Sequence, residues 1–357
     1  MRTKKGNVVG VLLLVSLLVS DWACAPRRPE QAREGVLAPE EAPAIIMTVQ
    51  GPLPPNELGP TLPHEHVLVD FIGAEEVDPR RYNQEEAFTV ALPHLRRARE
   101  LGVRTIIECT PDYLGRDPVL LRRLSEASGL HLLTNTGYYG AVEGKYLPQH
   151  AHIETADQLA ARWDLEWREG IAGTGIRPGF IKISVNKSPL VAVDRKLVQA
   201  AGRTHRKNGL TIASHTGSGA AALEELAILQ EEGVAGQAFI WVHAQSEKDR
   251  SFHLQAARQG AWLSFDGLSP SNLPEYLAHL QALKEANLLG QVLLSHDAGW
   301  YSVGEPGGGD FRSYETLFQD FIPLLQETGF TGAEIRQLTV ENPQRAFTVR
   351  VRGVIKN

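Results

Sequence analysis

Eight short apolar runs, many of them β-branched, recur along the chain: PHEHVLVD, VRTIIECT, LHLLTNTGYY, GFIKIS, LTIASHT, AFIWVHA, AWLSFDG and QVLLSHD. Most are apolar at consecutive positions, the pattern of strands covered on both faces. Between them lie longer stretches with helical spacing of apolar residues, such as QEEAFTVALPHLRRARELG, DRKLVQAAGRTHRKNG and AALEELAILQEEG. Several stretches end in glycine (Gly102, Gly129, Gly209, Gly233, Gly260), as helix C-termini often do. Strands alternating with helices imply a parallel sheet, and eight such units imply a (β/α)8 barrel of the TIM type. Ahead of it, IIMTVQGPLPPNELGPTL reads as a strand, a Pro-rich turn and a second strand, a short N-terminal β-hairpin. TLFQDFIPLLQETG supplies the last barrel helix, and TGAEIRQLTVENPQRAF an extra C-terminal one.

Composition narrows the class. The 357 residues are 43% hydrophobic and 22% charged, enough for one large core or two small ones. A net charge of −6, with basic residues clustered only at the N-terminus, argues against a nucleic-acid binder. There, Lys4 and Lys5 precede VVGVLLLVSLLVS, which has the length of a signal-peptide core and is short for a membrane span. DWACAPRRPE follows and carries two processing readings. Cys24 is a candidate lipidated first residue of a bacterial lipoprotein, although Asp21 stands where such signals carry an aliphatic residue. Ala23-Cys24-Ala25 is alternatively an A-x-A cleavage site, with Pro26 a poor context. Residues 1–23 are expected to be a signal peptide, 24–44 a disordered tether rich in Pro, Glu, Arg and Ala, and 45–357 the barrel. The protein is then exported to the bacterial envelope, periplasmic or membrane-anchored through Cys24. Cys109 is the only other cysteine, so the barrel holds no internal disulfide.

A barrel places its chemistry at the C-terminal ends of its strands. The polar residues there are His64 and His66 in the first run, Lys182 after GFI, His215 after TIAS, His243 after IWV, Asp266 after LSF, and His296-Asp297 after VLLS. If Val67, Leu68 and Val69 continue the first strand, its period of two sets His64 and His66 on one face, roughly 6–7 Å apart, where they can chelate one ion. Each residue alone has an ordinary reading, a hydrogen-bonded core histidine or a helix-capping aspartate. Their joint occurrence at the strand ends of one barrel points to a metal site. Imidazole and carboxylate suit zinc-type ions, and four histidines with one aspartate suffice for two ions if a further group bridges them. Lys182 could bridge only as a carbamate formed with CO2.

The stretches MTVQGPL…LGPTLPHEH, FIKIS, IASHTGSG, WVHAQSEKD, LSFDG, LLSHD and ENPQRAF run in order over residues 45 to 347. Together they resemble the phosphotriesterase family of the amidohydrolase superfamily. The resemblance implies a distorted, amidohydrolase-like (β/α)8 barrel with two divalent metal ions, zinc first and manganese, cobalt or iron as alternatives. It implies that His64, His66 and Asp297 hold one ion and His215 and His243 the other, with N6-carboxylated Lys182 and a hydroxide bridging. Asp297 would then also accept the proton of the attacking hydroxide. His296 is expected to point the other way, Glu65 to face away from the two histidines, and Cys109 to be a packed thiol. Lys187 competes with Lys182 but falls in the loop. Asp266 is expected as a pocket-floor or hydrogen-bonding residue, and Tyr138, Tyr139, Trp300 and Tyr301 around the substrate. Family relatives are often dimers, so a homodimer is a further expectation.

The function implied is hydrolysis of a carboxylic or phosphoric ester, a lactone or an organophosphate-type ester, by a metal-bridging hydroxide. Two alternatives remain at this level: an amidohydrolase using the same centre on a cyclic amide or small peptide, and a non-catalytic binding lipoprotein.

Overall fold

A computed structural model describes residues 44–354 and Ser16. The expected signal peptide, the tether up to residue 43 and the candidate lipidation site at Cys24 lie outside the described residues. Among the described residues, no helix is long and apolar enough to cross a membrane.

The eight apolar runs each form a strand: β1 (Thr61–Glu65), β2 (Thr105–Glu108), β3 (His131–Leu133, resuming at Asn135–Thr136), β4 (Phe180–Ser184), β5 (Ile212–His215), β6 (Phe239–Val242), β7 (Trp262–Phe265) and β8 (Val292–Leu294). Pairing is parallel throughout. One ladder runs from β1 through β2 to the first half of β3, and a second from the other half of β3 through to β8. Closure between β8 and β1 lacks a regular ladder. It is made by Asp297 N–H on the His64 carbonyl at 3.2 Å and His66 N–H on the Ala298 carbonyl at 2.9 Å. Helices α1 (Gln84–Glu100), α2 (Pro118–Ser128), α3 (Ala156–Glu169), α4 (Ala192–Asn208), α5 (Gly219–Glu231), α6 (Arg250–Arg258), α7 (Leu273–Glu285) and α8 (Ile322–Glu327) form the outer layer. The polar residue before a helix often caps it: Asn83 accepts from Glu85 and Glu86, and Asp117 from Val119 and Leu120. At the far end, Gly209 takes φ +78 and closes α4 onto β5.

Small corrections follow from these contacts. The hairpin strands are Ile46–Thr48 and Gly51–Leu53, so the turn falls at Val49–Gln50 and the Pro-rich segment comes after the second strand. Nor does β1 continue through Val69: Leu68–Val69 instead pair with Tyr301–Ser302. Inside the barrel, Phe180, Val242, Trp262, Leu293 and Cys109 pack into one buried cluster with Phe347 of the terminal helix Asn342–Phe347. Phe347 meets Phe180 edge-on at 5.6 Å, so the C-terminal helix plugs the bottom and leaves the top open for chemistry.

Candidate metal centre

Strand ends gather four imidazoles into an arc. Ring centroids lie 5.4 Å apart for His66 and His64, 5.2 Å for His64 and His243, and 4.3 Å for His243 and His215. One ligand atom each of His64, His66 and Asp297 lie within 4.8 Å of one another, a group that could hold a metal ion. Asp297 Oδ1 is 3.0 Å from His66 Nε2 and 3.4 Å from His64 Nε2.

What orients the rings is the other nitrogen of each. His66 Nδ1 is 2.7 Å from Thr110 Oγ1, His243 Nδ1 is 2.6 Å from Asp266 Oδ1, and His215 Nδ1 is 3.0 Å from Tyr139 Oη. His64 Nδ1 lies 3.3 Å from Asp266 Oδ2, near enough for charge attraction though not aligned as a hydrogen bond. With Nδ1 so engaged, His66, His243 and His215 keep Nε2 for an ion, the arrangement by which outer partners fix the tautomer of a ligating histidine. Burial alone would raise the Asp266 and Asp297 carboxyls, but the imidazoles beside them hold both well below the usual carboxylate range. Burial, then His243 and Lys182, push His215 well below its ordinary value, which keeps it neutral as a ligand must be.

Lys182 is 1% exposed at the centre of β4. The ion pairs of the crater run between histidines and Asp266 or Asp297 and leave its amine out. Burial lowers its pKa, favouring the neutral amine that CO2 requires for carbamate formation. The donor set of four imidazoles, one carboxylate and one buried amine fits two divalent ions with a carbamate between them.

The pocket candidates divide within each adjacent pair, one residue toward the crater and its neighbour away. Tyr139 faces the crater through His215. Tyr138 does not: it packs edge-on against Trp163 of α3, and its hydroxyl meets His150 at 3.0 Å. Trp300 lies 5.4 Å from the His66 ring, with the Arg312 guanidinium stacked over it at 4.4 Å. Tyr301 pairs with Leu68, is buried, and turns away toward Gly308. Asp266 is fully buried and takes the expected hydrogen-bonding role, on His243 Nδ1 and the His243 amide. His296 points away from the arc, as expected, and Lys187 is exposed in the loop past β4.

Several supporting residues went unforeseen. Glu65 grips the end of β8. Glu108 accepts the Val67 and Thr110 amides at 3.2 Å each, and burial raises its carboxyl to about 7. Glu225 of α5 holds Ser214 and Thr216 on either side of His215. Arg312 donates to the Asp297 carbonyl.

Two clefts open beside the centre. One, about 900 Å³, includes His215, Asn186, Lys187 and Ser218; the other, about 600 Å³, includes Asp297, Arg312 and Leu268. A separate 460 Å³ cavity near Tyr82 and Arg116 takes in none of the metal donors.

Comparison with known proteins agrees with this geometry. The chain is 29% identical over 293 residues to the phosphotriesterase homology protein of Escherichia coli, covering 81% of this chain and 98% of that one. It is 27% identical over 308 residues to a Saccharolobus solfataricus protein named aryldialkylphosphatase, covering 82% and 96%. A solved mutant of a Deinococcus radiodurans PTE-like lactonase superposes with a TM-score of 0.76 at 29% identity, covering 85% of this chain and 99% of the other. With the family pattern matched over residues 44–347, from the hairpin to the last helix, the chain belongs to the phosphotriesterase family of metal-dependent hydrolases.

Proposed function

We propose that this hydrolase uses two zinc ions, bridged by carboxylated Lys182, to cleave a lactone or an organophosphate-type ester. The observation that carries this reading is the gathering of four imidazoles in one arc, three with Nδ1 hydrogen-bonded and with His64 and His66 turning Nε2 to Asp297. The names aryldialkylphosphatase and PTE-like lactonase among its relatives support the two ester classes. When bound, such ions would polarise the P=O or C=O bond and lower the pKa of the attacking water. The chain's own residues do the rest. Asp297, whose side chain is 23% exposed, accepts the proton released on attack and passes it to the cleft. Asp266 holds the His243 and His64 rings against the charge that develops, and Tyr139 does the same for His215. Arg312 stacks over Trp300, which itself packs against Phe71, and donates to the Asp297 carbonyl.

The test loads the protein with zinc and bicarbonate and follows proton release on lactones, aryl esters, phosphotriesters and a cyclic amide, with Lys182→Ala as blank. Ester cleavage lost in the variant together with zinc is the expected outcome. Cleavage of the amide alone would move the activity to amide bonds. A protein that binds no zinc would overturn the two-ion reading.

A further inference from the structure

Glu65 sits between two of the candidate ligands, at the last position of β1, yet its side chain leaves the crater and is fully buried. Its carboxylate collects the end of β8. Oε1 accepts from Ser295 Oγ at 2.7 Å, from His296 N at 3.0 Å and from His296 Nδ1 at 2.7 Å; Oε2 accepts from Ala298 N at 2.8 Å. These donors come from the residues on both sides of Asp297. The network extends outward as well. Ser295 Oγ accepts the His64 amide at 3.0 Å, and His296 Nε2 accepts the Leu317 amide at 2.9 Å. A ring nitrogen that accepts carries no proton, so His296 donates from Nδ1 to Glu65.

Asp297 itself has φ +53, in the left-handed region, which costs an L residue backbone strain although aspartate enters it more readily than most. No regular ladder joins β8 to β1, so strand pairing does not impose it. The restraints at this junction are the Glu65 carboxylate on the residues either side of Asp297, two backbone bonds to β1, and Arg312, which donates to the Asp297 carbonyl.

We propose that Glu65 is the positioning residue for Asp297, clamping the strained turn so that the aspartate oxygen meets His64 and His66. This rests on the reading of Asp297 as a metal ligand. Glu65 touches neither ion nor substrate and acts only through the backbone it holds. A carboxylate is required because every one of its four contacts is a donor. In Glu65→Gln the amide group must face either the Ala298 N–H or the Ser295 and His296 donors, and that side of the clamp opens.

The experiment measures zinc release from the fully loaded protein to excess chromophoric chelator. It compares wild type, Glu65→Gln, Asp297→Ala and the double variant, with thermal melting recorded for each. Glu65→Gln is expected to speed release of one of the two ions 10- to 100-fold, the usual effect of removing an outer partner of a metal site. In the Asp297→Ala background the same substitution is expected to change nothing further. Equal acceleration in both backgrounds, or acceleration of both ions alike with a lowered melting point, means a merely structural role and overturns the proposal. So does unchanged release in the wild-type background. If Asp297→Ala alone leaves both ions as tightly held as before, the ligand reading has failed, and the proposal falls with it for that separate reason. Should Glu65→Gln not fold, Ser295→Ala removes a single donor of the clamp, and a several-fold acceleration that vanishes without Asp297 is expected of it.

Discussion

Replacing Glu225 by Gln should stabilise the protein at alkaline pH and leave it unchanged in acid. Glu225 lies on the buried face of α5, where Ser214 and Thr216 hydroxyls bond its two oxygens. Burial raises its carboxyl from an ordinary 4.5 to about 8, against the lowering effect of those hydroxyls. Below pH 4.5 the group is protonated folded or unfolded and contributes no pH dependence. Between 4.5 and 8 the unfolded chain releases the proton while the folded chain retains it, so stability falls with rising pH across that window. At 1.36 kcal/mol per unit, a shift of this size corresponds to ~3–5 kcal/mol by pH 8. Gln copies the neutral acid in shape, with Nε2 able to donate to Ser214 and Oε1 to accept from Thr216, and it does not ionise. The assay is urea unfolding of wild type and variant at equal zinc saturation from pH 4.5 to 9, reading the difference so that shared titrations cancel. The variant's advantage should grow from near zero to a few kcal/mol. A gap that stays flat, or that favours wild type as pH rises, refutes the buried neutral carboxyl.

Other changes test the frame of the site. Arg116 is buried, donates from both terminal nitrogens to Glu166 at 2.7 and 2.8 Å and also to the Asn135 carbonyl. Arg116→Ala leaves Glu166 without its partner and should cost ~3–5 kcal/mol in urea unfolding; a loss under ~1 kcal/mol would show that solvent takes over. Tyr139→Phe removes the only side-chain partner of His215 Nδ1 among the described residues, and zinc affinity in a chelator competition should drop ~10-fold. Unchanged affinity would mean that the ring needs no such anchor. Gly299 has φ +90 and its missing Cβ would land on the His66 carbonyl, so Gly299→Ala should destabilise by ~4 kcal/mol or more in the same unfolding assay. A melting curve close to wild type would contradict the close approach of β1 and the β8 loop.

The barrel was legible because strands covered on both faces must be apolar at consecutive positions, and each such run became a strand. Less legible was where strands stop. Val67-Leu68-Val69 has the composition of a continuing strand, yet its partner is Tyr301–Ser302. Nothing local to either segment announces that pairing. The hairpin misled in a similar way, since prolines suggested the turn that Val49–Gln50 makes.

Within the site, His296 and Asp297 point apart, and so do the two aromatic pairs, although Asp297 and Trp300 have left-handed rather than extended backbone. Tyr139 and Trp300 face the crater while their neighbours Tyr138 and Tyr301 turn into the packing. That outcome was not readable from strand alternation, because the strands end at Thr136 and Leu294, and Trp300 has a positive φ. The buried carboxylates were hard to read as well, since charge in a sequence normally marks solvent. Glu225 still carried a signal: it falls at the spacing of Ala221, Ala222, Leu226 and Leu229, on the apolar face of its own helix. A carboxyl in that position must find hydrogen-bond partners, and the available ones are the residues flanking His215. Glu65 obeys the same logic from a strand. Facing away from His64 and His66 in a fully buried strand, it had nowhere to go but another strand's end, and the strand beside β1 is the one that delivers Asp297. The residue that separates two candidate ligands in the sequence thereby bonds the backbone on both sides of a third.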